Sequence, residues 1–400
     1  MFNILCHRPA LVTLAFLFAL LTTDARAAAY REHPFPVPPE LESSVEFWKQ
    51  IFTRYSTSEL VFYDTRDPTR VYKVVNVGKR RNLRQLMGNE RKGIVRKHRL
   101  KSVGQVSAQR GVKERFVQGL QQSQRYLDQM QEIFRKRELP VQLAYLPLIE
   151  SAFQVNARSR AGAVGMWQFM HHTGKSYLRI TSTVDERKDP LESTRAAASM
   201  LEENYEIFGN WPLAITAYNH GRAGIQRAVA RVGSSDIAEI IQNYRNRRFG
   251  VSSKNFYAEF IAAVEVASRD RDYVPDIEYD LPLNMHEFDL EQPIPLSILL
   301  RFAGISRQEF LGWNPALHQR IHMIPKWYRV KVPSDRKETL TGAYEKIVNG
   351  PWVNHRVARG ETLSHIAETY SISIREIQSV NGLSDIHLIT IGQQLKIPKR

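Results

Sequence analysis

From Val112 to Asp272 the apolar positions of this chain keep a helical rhythm. Phe116, Leu120, Tyr126-Leu127, Met130 and Phe134 recur mostly at the spacing of one buried helix face. Pro140 suits the first turn of a second helix, which carries Leu143-Ala144-Tyr145-Leu146-Pro147-Leu148-Ile149 into Glu150. Asp189-Pro190 opens a third, with Ala196, Ala197, Met200, Leu201, Tyr205 and Phe208 on one side and Gly209-Asn210 as its stop. Trp211-Pro212 leads into Ala214 to Asn219, ending at His220-Gly221, and a further helix is predicted from about Lys254 to Ala267. Strand signals are scarce here, so the stretch 112–272 reads as an all-α domain.

The flanks differ. An apolar stretch from Ala10 to Leu21 follows His7 and Arg8, and Ala25-Arg26-Ala27 is a small-x-small cleavage pattern. Residues 1–27 therefore read as an export signal cut after Ala27. The stretch is short for a span of roughly 20 residues, and no comparable run follows, so no transmembrane span is expected after cleavage. Cys6, the only cysteine, precedes the apolar core, is not placed for lipid attachment, and leaves with the signal. No disulfide or thiol chemistry is then expected in an oxidising compartment. Residues 28–111 form a basic region with mixed helix and strand signals. It opens on the polyproline-like His33-Pro34-Phe35-Pro36-Val37-Pro38-Pro39 and carries Lys79-Arg80-Arg81 and Arg96-Lys97-His98-Arg99. Those runs read either as solvated faces or as a track for a polyanion.

Beyond Asp272, Pro275, Pro282, Pro293 and Pro295 punctuate the chain and an internal repeat begins. Gly304-Ile305-Ser306-Arg307-Gln308-Glu309-Phe310 with Trp313-Asn314 parallels Ser371-Ile372-Ser373-Ile374-Arg375-Glu376-Ile377 with Val380-Asn381. Both copies close alike, on Val330-Lys331-Val332-Pro333 and Leu395-Lys396-Ile397-Pro398. Each reads as a helix pair closed by a short strand, at 285–334 and 353–399, with 335–352 as linker.

Composition narrows the partners. The 400 residues are ordinary in being 43% hydrophobic and 24% charged, but the net charge of +15 is not. A basic surface seeks an anionic partner, whether nucleic acid, a membrane face or an acidic cell-wall polymer; export disfavours nucleic acid, and the charge is better assigned to an envelope polymer. The expected location is the periplasm or cell envelope, in contact with the wall.

The candidate chemistry begins at Glu150. A carboxyl ending an apolar helix before a glycine-spaced loop has a pKa raised by burial, and can hold a proton near neutral pH and deliver it. Around it stand Glu150-Ser151, Gly165-Met166-Trp167-Gln168, Ala217-Tyr218-Asn219 with Gly221, and Phe256-Tyr257-Ala258-Glu259-Phe260, in that order. Together these motifs resemble the catalytic domain of family 1 lytic transglycosylases, lysozyme-like enzymes that cut peptidoglycan; Asp185 to Asp189 shares in the likeness. His355-Arg356-Val357, Gly360-Glu361-Thr362-Leu363 and Gly392 to Pro398 resemble a LysM module, which implies binding of N-acetylglucosamine-containing glycans. The copy at 285–334 lacks the Gly-Glu-Thr-Leu signature and reads as a degenerate LysM, with packing or glycan binding as its role. The fold class implied is multidomain: an all-α lysozyme-like domain followed by βααβ LysM-type modules.

The resemblance implies that Glu150 is the single acid/base. It would protonate the oxygen of the β-1,4 bond between N-acetylmuramic acid and N-acetylglucosamine, then take the proton of the muramoyl C6 hydroxyl as a 1,6-anhydro ring closes. Ser151, Met166, Gln168, Tyr218, Asn219 and Tyr257 are the implied substrate-binding residues, with Trp167 packing beneath the cleft. His220-Gly221-Arg222-Ala223-Gly224 departs from the family, which usually has a small residue and often Glu here; Arg222 either meets a peptide-stem carboxylate or is solvated. An internal nucleophile removes the need for a second carboxylate roughly 5 to 9.5 Å away, and gains from intramolecular attack. Asp185, Asp189, Glu259 and Glu265 stay open as second acids, which would make a hydrolytic muramidase; a non-catalytic wall binder is the third reading. No metal-ligand spacing or phosphate-cradling loop occurs, so no cofactor or metal is expected.

Overall fold

In the computed structural model, residues 34–400 are described, apart from 79, 81–82, 350–351, 384, 386–387 and 399–400. The expected export signal, Cys6 and His33 lie outside them, as do Lys79 and Arg81. Among the described residues no helix is long and apolar enough to cross a membrane. The chain divides into two units: residues up to Gln154 with Met166–Gln168 and Ser193–Asp280, and Val155–Gly165 with Phe169–Glu192 and Leu281–Arg400.

The first unit is mostly helical. Its elements are α1 (Pro39–Thr53), β1 (Glu59–Asp64), β2 (Val71–Asn76), α2 (Arg84–Lys97), β3 (Val106–Arg110), α3 (Lys113–Ser123), α4 (Leu127–Arg135) and α5 (Leu146–Glu150). After the break come α7 (Pro190–Phe208) from Ser193 onward, α8 (Trp211–His220), α9 (Arg222–Val232), α10 (Ile237–Asn243), α11 (Val251–Ser268) and α12 (Asp270–Tyr273). The strands form an antiparallel sheet in the order β2-β1-β3. Helix α1 buries Leu41, Val45, Phe47, Trp48, Ile51 and Phe52, and Phe52 stacks on Phe116 of α3 with centroids 4.4 Å apart. It also packs on α11, where Lys49 reaches Glu265 at 3.0 Å. The basic N-terminal region is thus built into the helical core by its apolar face, which the charge runs obscure in the sequence.

The second unit holds α6 (His171–Tyr177) and the two repeats. In the first, β4 (Met285–Phe288) pairs antiparallel with β7 (Val330–Pro333) around α13 (Leu296–Ala303) and α14 (Arg307–Trp313). A small ladder of β5 (Ile294–Pro295) and β6 (Met323–Ile324) is inserted between. In the second, β8 (Trp352–Arg356) pairs with β9 (Gln394–Pro398) around α16 (Leu363–Thr369) and α17 (Ile374–Asn381). The segment read as a linker is instead mostly helix, α15 (Lys337–Asn349), whose Leu340, Ala343, Tyr344 and Ile347 enter the core of the first copy. Their three-to-four spacing supplies the apolar stripe that makes this a packed element.

The copies agree at the level of single hydrogen bonds. Asn314 donates to the carbonyls of Phe310 and Lys331 and accepts from the Lys331 amide; Asn381 does the same with Ile377 and Lys396. Gly304 and Ser371, equivalent in the repeat, both take left-handed backbone, at φ 63° and 53°. Ser306 and Ser373 then cap the second helix of each copy.

The first copy also grips the segment 179–192 of its own unit. Val184 sits in its core, Asp185 N–H donates to Ala316 O, and His318 N–H donates to Thr183 O, both at 2.8 Å. Lys331, 3% exposed, lies 2.8 Å from Asp189, 3.2 Å from Glu192 and 3.8 Å from Glu287. Burial works against its charge, but the carboxylates outweigh that and hold its pKa above the usual lysine range.

Candidate active site

Helix α5 is a single turn, entered through the 3-10 turn Val141–Tyr145 and started by Pro147 in its first turn. It ends on Glu150 because Ser151 leaves helical geometry and Ala152 and Phe153 turn left-handed at φ 54° and 56°. Two consecutive non-glycine residues in that region cost on the order of 1–3 kcal/mol each and persist only where packing imposes them. Here both are buried, and Ala152 is pressed against Gly119 so closely that a Cβ there would sit 3.0 Å from it. The effect is to stop the helix with Glu150 at its tip.

Glu150 is half-buried, and burial alone pushes its carboxyl up to about 8. Among the described residues no cation or hydrogen bond pulls it back. It therefore holds its proton at neutral pH, which is the state an acid needs before bond cleavage.

The loop facing it is pinned by its neighbours. Ser151 Oγ donates to Met166 O at 2.8 Å, and Trp167 Nε1 donates to Thr194 Oγ1 at 2.9 Å. Tyr218 OH donates to Trp167 O at 2.7 Å, and its own pKa is raised by burial and by the charge of Glu150. Gly165, at φ 83°, passes so near the carbonyl of Arg187 that a Cβ would lie 1.7 Å from that oxygen; only glycine fits. Gln168 follows in left-handed backbone and stays partly accessible.

Of the seven site residues expected from the sequence, Glu150, Gln168, Tyr218 and Asn219 keep accessible surface. Ser151, Met166 and Tyr257 do not, being at most 1% exposed. The Ser151 hydroxyl is turned to the loop carbonyl of Met166. Tyr257 OH donates to Pro36 O at 2.8 Å, tying down the proline-rich strap whose Phe35 packs edge-on against Trp211 and Phe260. The motif marked these positions, but helical spacing does not tell a cleft-facing hydroxyl from one turned to a backbone carbonyl. Asn219, exposed, accepts from Ser253 Oγ at 3.2 Å, and Ser253 also meets His220 Nδ1 at 3.0 Å. Arg222, the residue that departs from the family pattern, bonds Asn204 and Glu203 at 3.0 and 2.7 Å.

Three of the four alternative acids have structural partners. Asp185 is held by Arg187; burial would raise its pKa, but that hydrogen-bonded charge brings it below the usual carboxylate range. Asp189 caps α7 through the amides of Leu191 and Glu192 and meets Lys331. Glu265 pairs with Lys49. Glu259 is different. It lines a cavity of about 390 Å³ with Trp48, Phe52, Arg115, Leu148 and Ile149, and burial, aided by the charge of Glu150, pushes it up to about 8. A carboxyl protonated at neutral pH is a poor base for activating water.

The signature of the last repeat has an equally local cause. Glu361 accepts from the Ala358 amide at 2.7 Å and lies 2.8 Å from His355 Nε2, while His355 Nδ1 meets Tyr370 OH at 3.1 Å. Thr362 caps α16, Gly360 turns at φ 86°, and Leu363 enters the core.

Comparison with known proteins matches this layout. Residues 130–241 match the model of the transglycosylase SLT domain, and 355–398 that of the LysM domain. Membrane-bound lytic murein transglycosylase D of Escherichia coli is 27% identical over 286 residues, 66% of this chain and 61% of the relative. An N-acetylmuramoyl-L-alanine amidase of Bacillus subtilis is 32% identical over 83 residues, 20% of this chain and 26% of that one. The 70 kDa soluble lytic transglycosylase of Escherichia coli aligns in structure over 38% of this chain and 25% of its own, at 22% identity and TM-score 0.30. The chain thus spans about three fifths of the curated lytic transglycosylase it matches. It carries a mostly helical transglycosylase SLT domain ahead of a LysM domain, and is homologous to membrane-bound lytic murein transglycosylase D.

Proposed function

We propose that this protein is a peptidoglycan lytic transglycosylase, exported to the envelope and held at the wall by its LysM domain. The observation that carries the reading is Glu150, raised to about 8 by burial at the tip of a one-turn helix within the SLT match. Protonated, it donates to the glycosidic oxygen between N-acetylmuramic acid and N-acetylglucosamine as the bond from that oxygen to the muramoyl C1 breaks, and the N-acetylglucosamine end leaves as an alcohol. As a carboxylate it then accepts the C6 hydroxyl proton while that oxygen bonds to C1, giving the 1,6-anhydro end. Proton and electron pair balance within one substrate, and no cofactor takes part. Gln168 and Asn219 are the accessible amides for the glycan, with Asn219 suited to an N-acetyl group. Tyr218 orients the loop beside the acid, and Ser151 and Tyr257 act from behind the surface. The raised pKa of Glu259 argues against a hydrolytic muramidase on this scaffold.

Digestion of purified sacculi followed by mass spectrometry tests the reading. Muropeptides one water lighter than hydrolysis products are expected; reducing ends alone would overturn it, and undigested glycan would leave only a wall binder.

A further inference from the structure

The second unit contains a cationic groove that neither the SLT match nor the LysM signature accounts for. It encloses about 570 Å³ and is lined by Ser297, Arg307, Arg320, His322, Ser373 and Arg375, together with Gln319. A second hollow of about 470 Å³ shares His322 and Arg375 and extends it along α17 to Gln378 and Gly382. Among the described residues no carboxylate lines either one, and none of Gly360 to Leu363 does.

The guanidinium groups are arranged rather than scattered. Arg307 is fixed by donating to Gln319 O at 3.2 and 2.7 Å and to Ile321 O at 2.5 Å. Arg320 and Arg375 are exposed and have no ion-pair partner among the described residues. The carboxylate beside Arg375, that of Glu376, is used elsewhere: it bonds Arg301 at 2.8 Å and caps α17 through Ser373. Three guanidinium groups around one hollow repel one another, and an anion with paired oxygens relieves that repulsion through bidentate contacts.

We propose that this groove binds the carboxylates of peptide stems, so that the C-terminal unit reads the peptide of the wall as well as its sugar. The proposal rests on the peptidoglycan reading above, since in that polymer the stems carry the free carboxylates. Ser297 adds a hydroxyl to the lining.

Pull-down of the full chain compares wild type with the double variant Arg320→Gln/Arg375→Gln. The probes are stem-bearing sacculi and stem-free chitin strands, which have an N-acetylglucosamine backbone with neither stems nor lactyl carboxylates. The variant is expected to lose about tenfold in affinity for sacculi at low salt, with a shallower salt dependence, and to bind stem-free strands like wild type. The Arg320→Lys/Arg375→Lys pair should recover part of the loss, because charge is kept while the fork is not. Equal losses on both substrates, or none on sacculi, would overturn the proposal. So would displacement from sacculi by inorganic phosphate but not by a soluble stem tetrapeptide. Anhydro-end formation, scored on the same wild-type preparation, separates the two claims: its absence alongside stem-dependent binding would sink the enzymatic reading and leave the groove standing.

Discussion

The two βααβ copies share a plan and differ in what the lysine of their last strand meets. In both, an asparagine at the end of the second helix clamps the last strand through three hydrogen bonds. The lysine it clamps is buried among Asp189, Glu192 and Glu287 in the first copy, and exposed in the second. The first copy lacks the Gly-Glu-Thr-Leu turn and instead makes contacts with residues 179–192 of its own unit. The second keeps that turn, with Glu361 accepting from Ala358 and meeting His355. One scaffold thus serves as a brace in one place and as a surface module in the other, and the side chain at a single strand position marks which.

The largest test of that contrast is Lys331→Met against Lys396→Met. Removing Lys331 strands three carboxylates around an apolar side chain, at a cost of about 3–5 kcal/mol, whereas the exposed lysine should change stability by less than about 0.5 kcal/mol. Urea denaturation of the full chain, followed in the second unit, reads both; equal effects would dissolve the distinction. Asn314→Ala and Asn381→Ala come next. The fully buried Asn314 should cost about 2–3 kcal/mol, and the half-buried Asn381 about 1 kcal/mol. The smallest effect is a pH response confined to the second copy. The Ala358 amide and His355 lower the pKa of Glu361, so the stability it adds is present above the unfolded carboxylate range and lost as pH falls through its folded value. NMR signals of His355 and Tyr370 should therefore shift in acid before those of Tyr328 and Asn314 do.

Much of this architecture was legible in the sequence because it is periodic. The helices of the first unit follow from apolar spacing, and the repeat follows from parallel strings ending in Val-Lys-Val-Pro and Leu-Lys-Ile-Pro. Contacts between distant segments were not legible. Nothing local marks residues 337–349 as a core helix of the first copy, apart from a stripe that charge dilutes. Nor does the strand show that Lys331 has three acidic partners, one of them 142 positions away at Asp189. At the site, motif order singles out Glu150 but does not show the orientation of hydroxyls. Ser151 and Tyr257 turn to backbone carbonyls, Met166 is buried, and Glu259, two residues past Tyr257, is the carboxyl that shares Glu150's electrostatic surroundings.

That last neighbour makes the central claim, that Glu150 works alone, directly measurable. Release of anhydro-muropeptides by wild type, Glu150→Gln and Glu259→Gln should be compared on the same sacculi by mass spectrometry. Glu150→Gln is expected to lose activity by about 10²–10⁴-fold while still binding sacculi, and Glu259→Gln to stay within a few-fold of wild type with anhydro ends intact. A collapse of Glu259→Gln to the level of Glu150→Gln would show that two carboxyls share the chemistry and contradict the account.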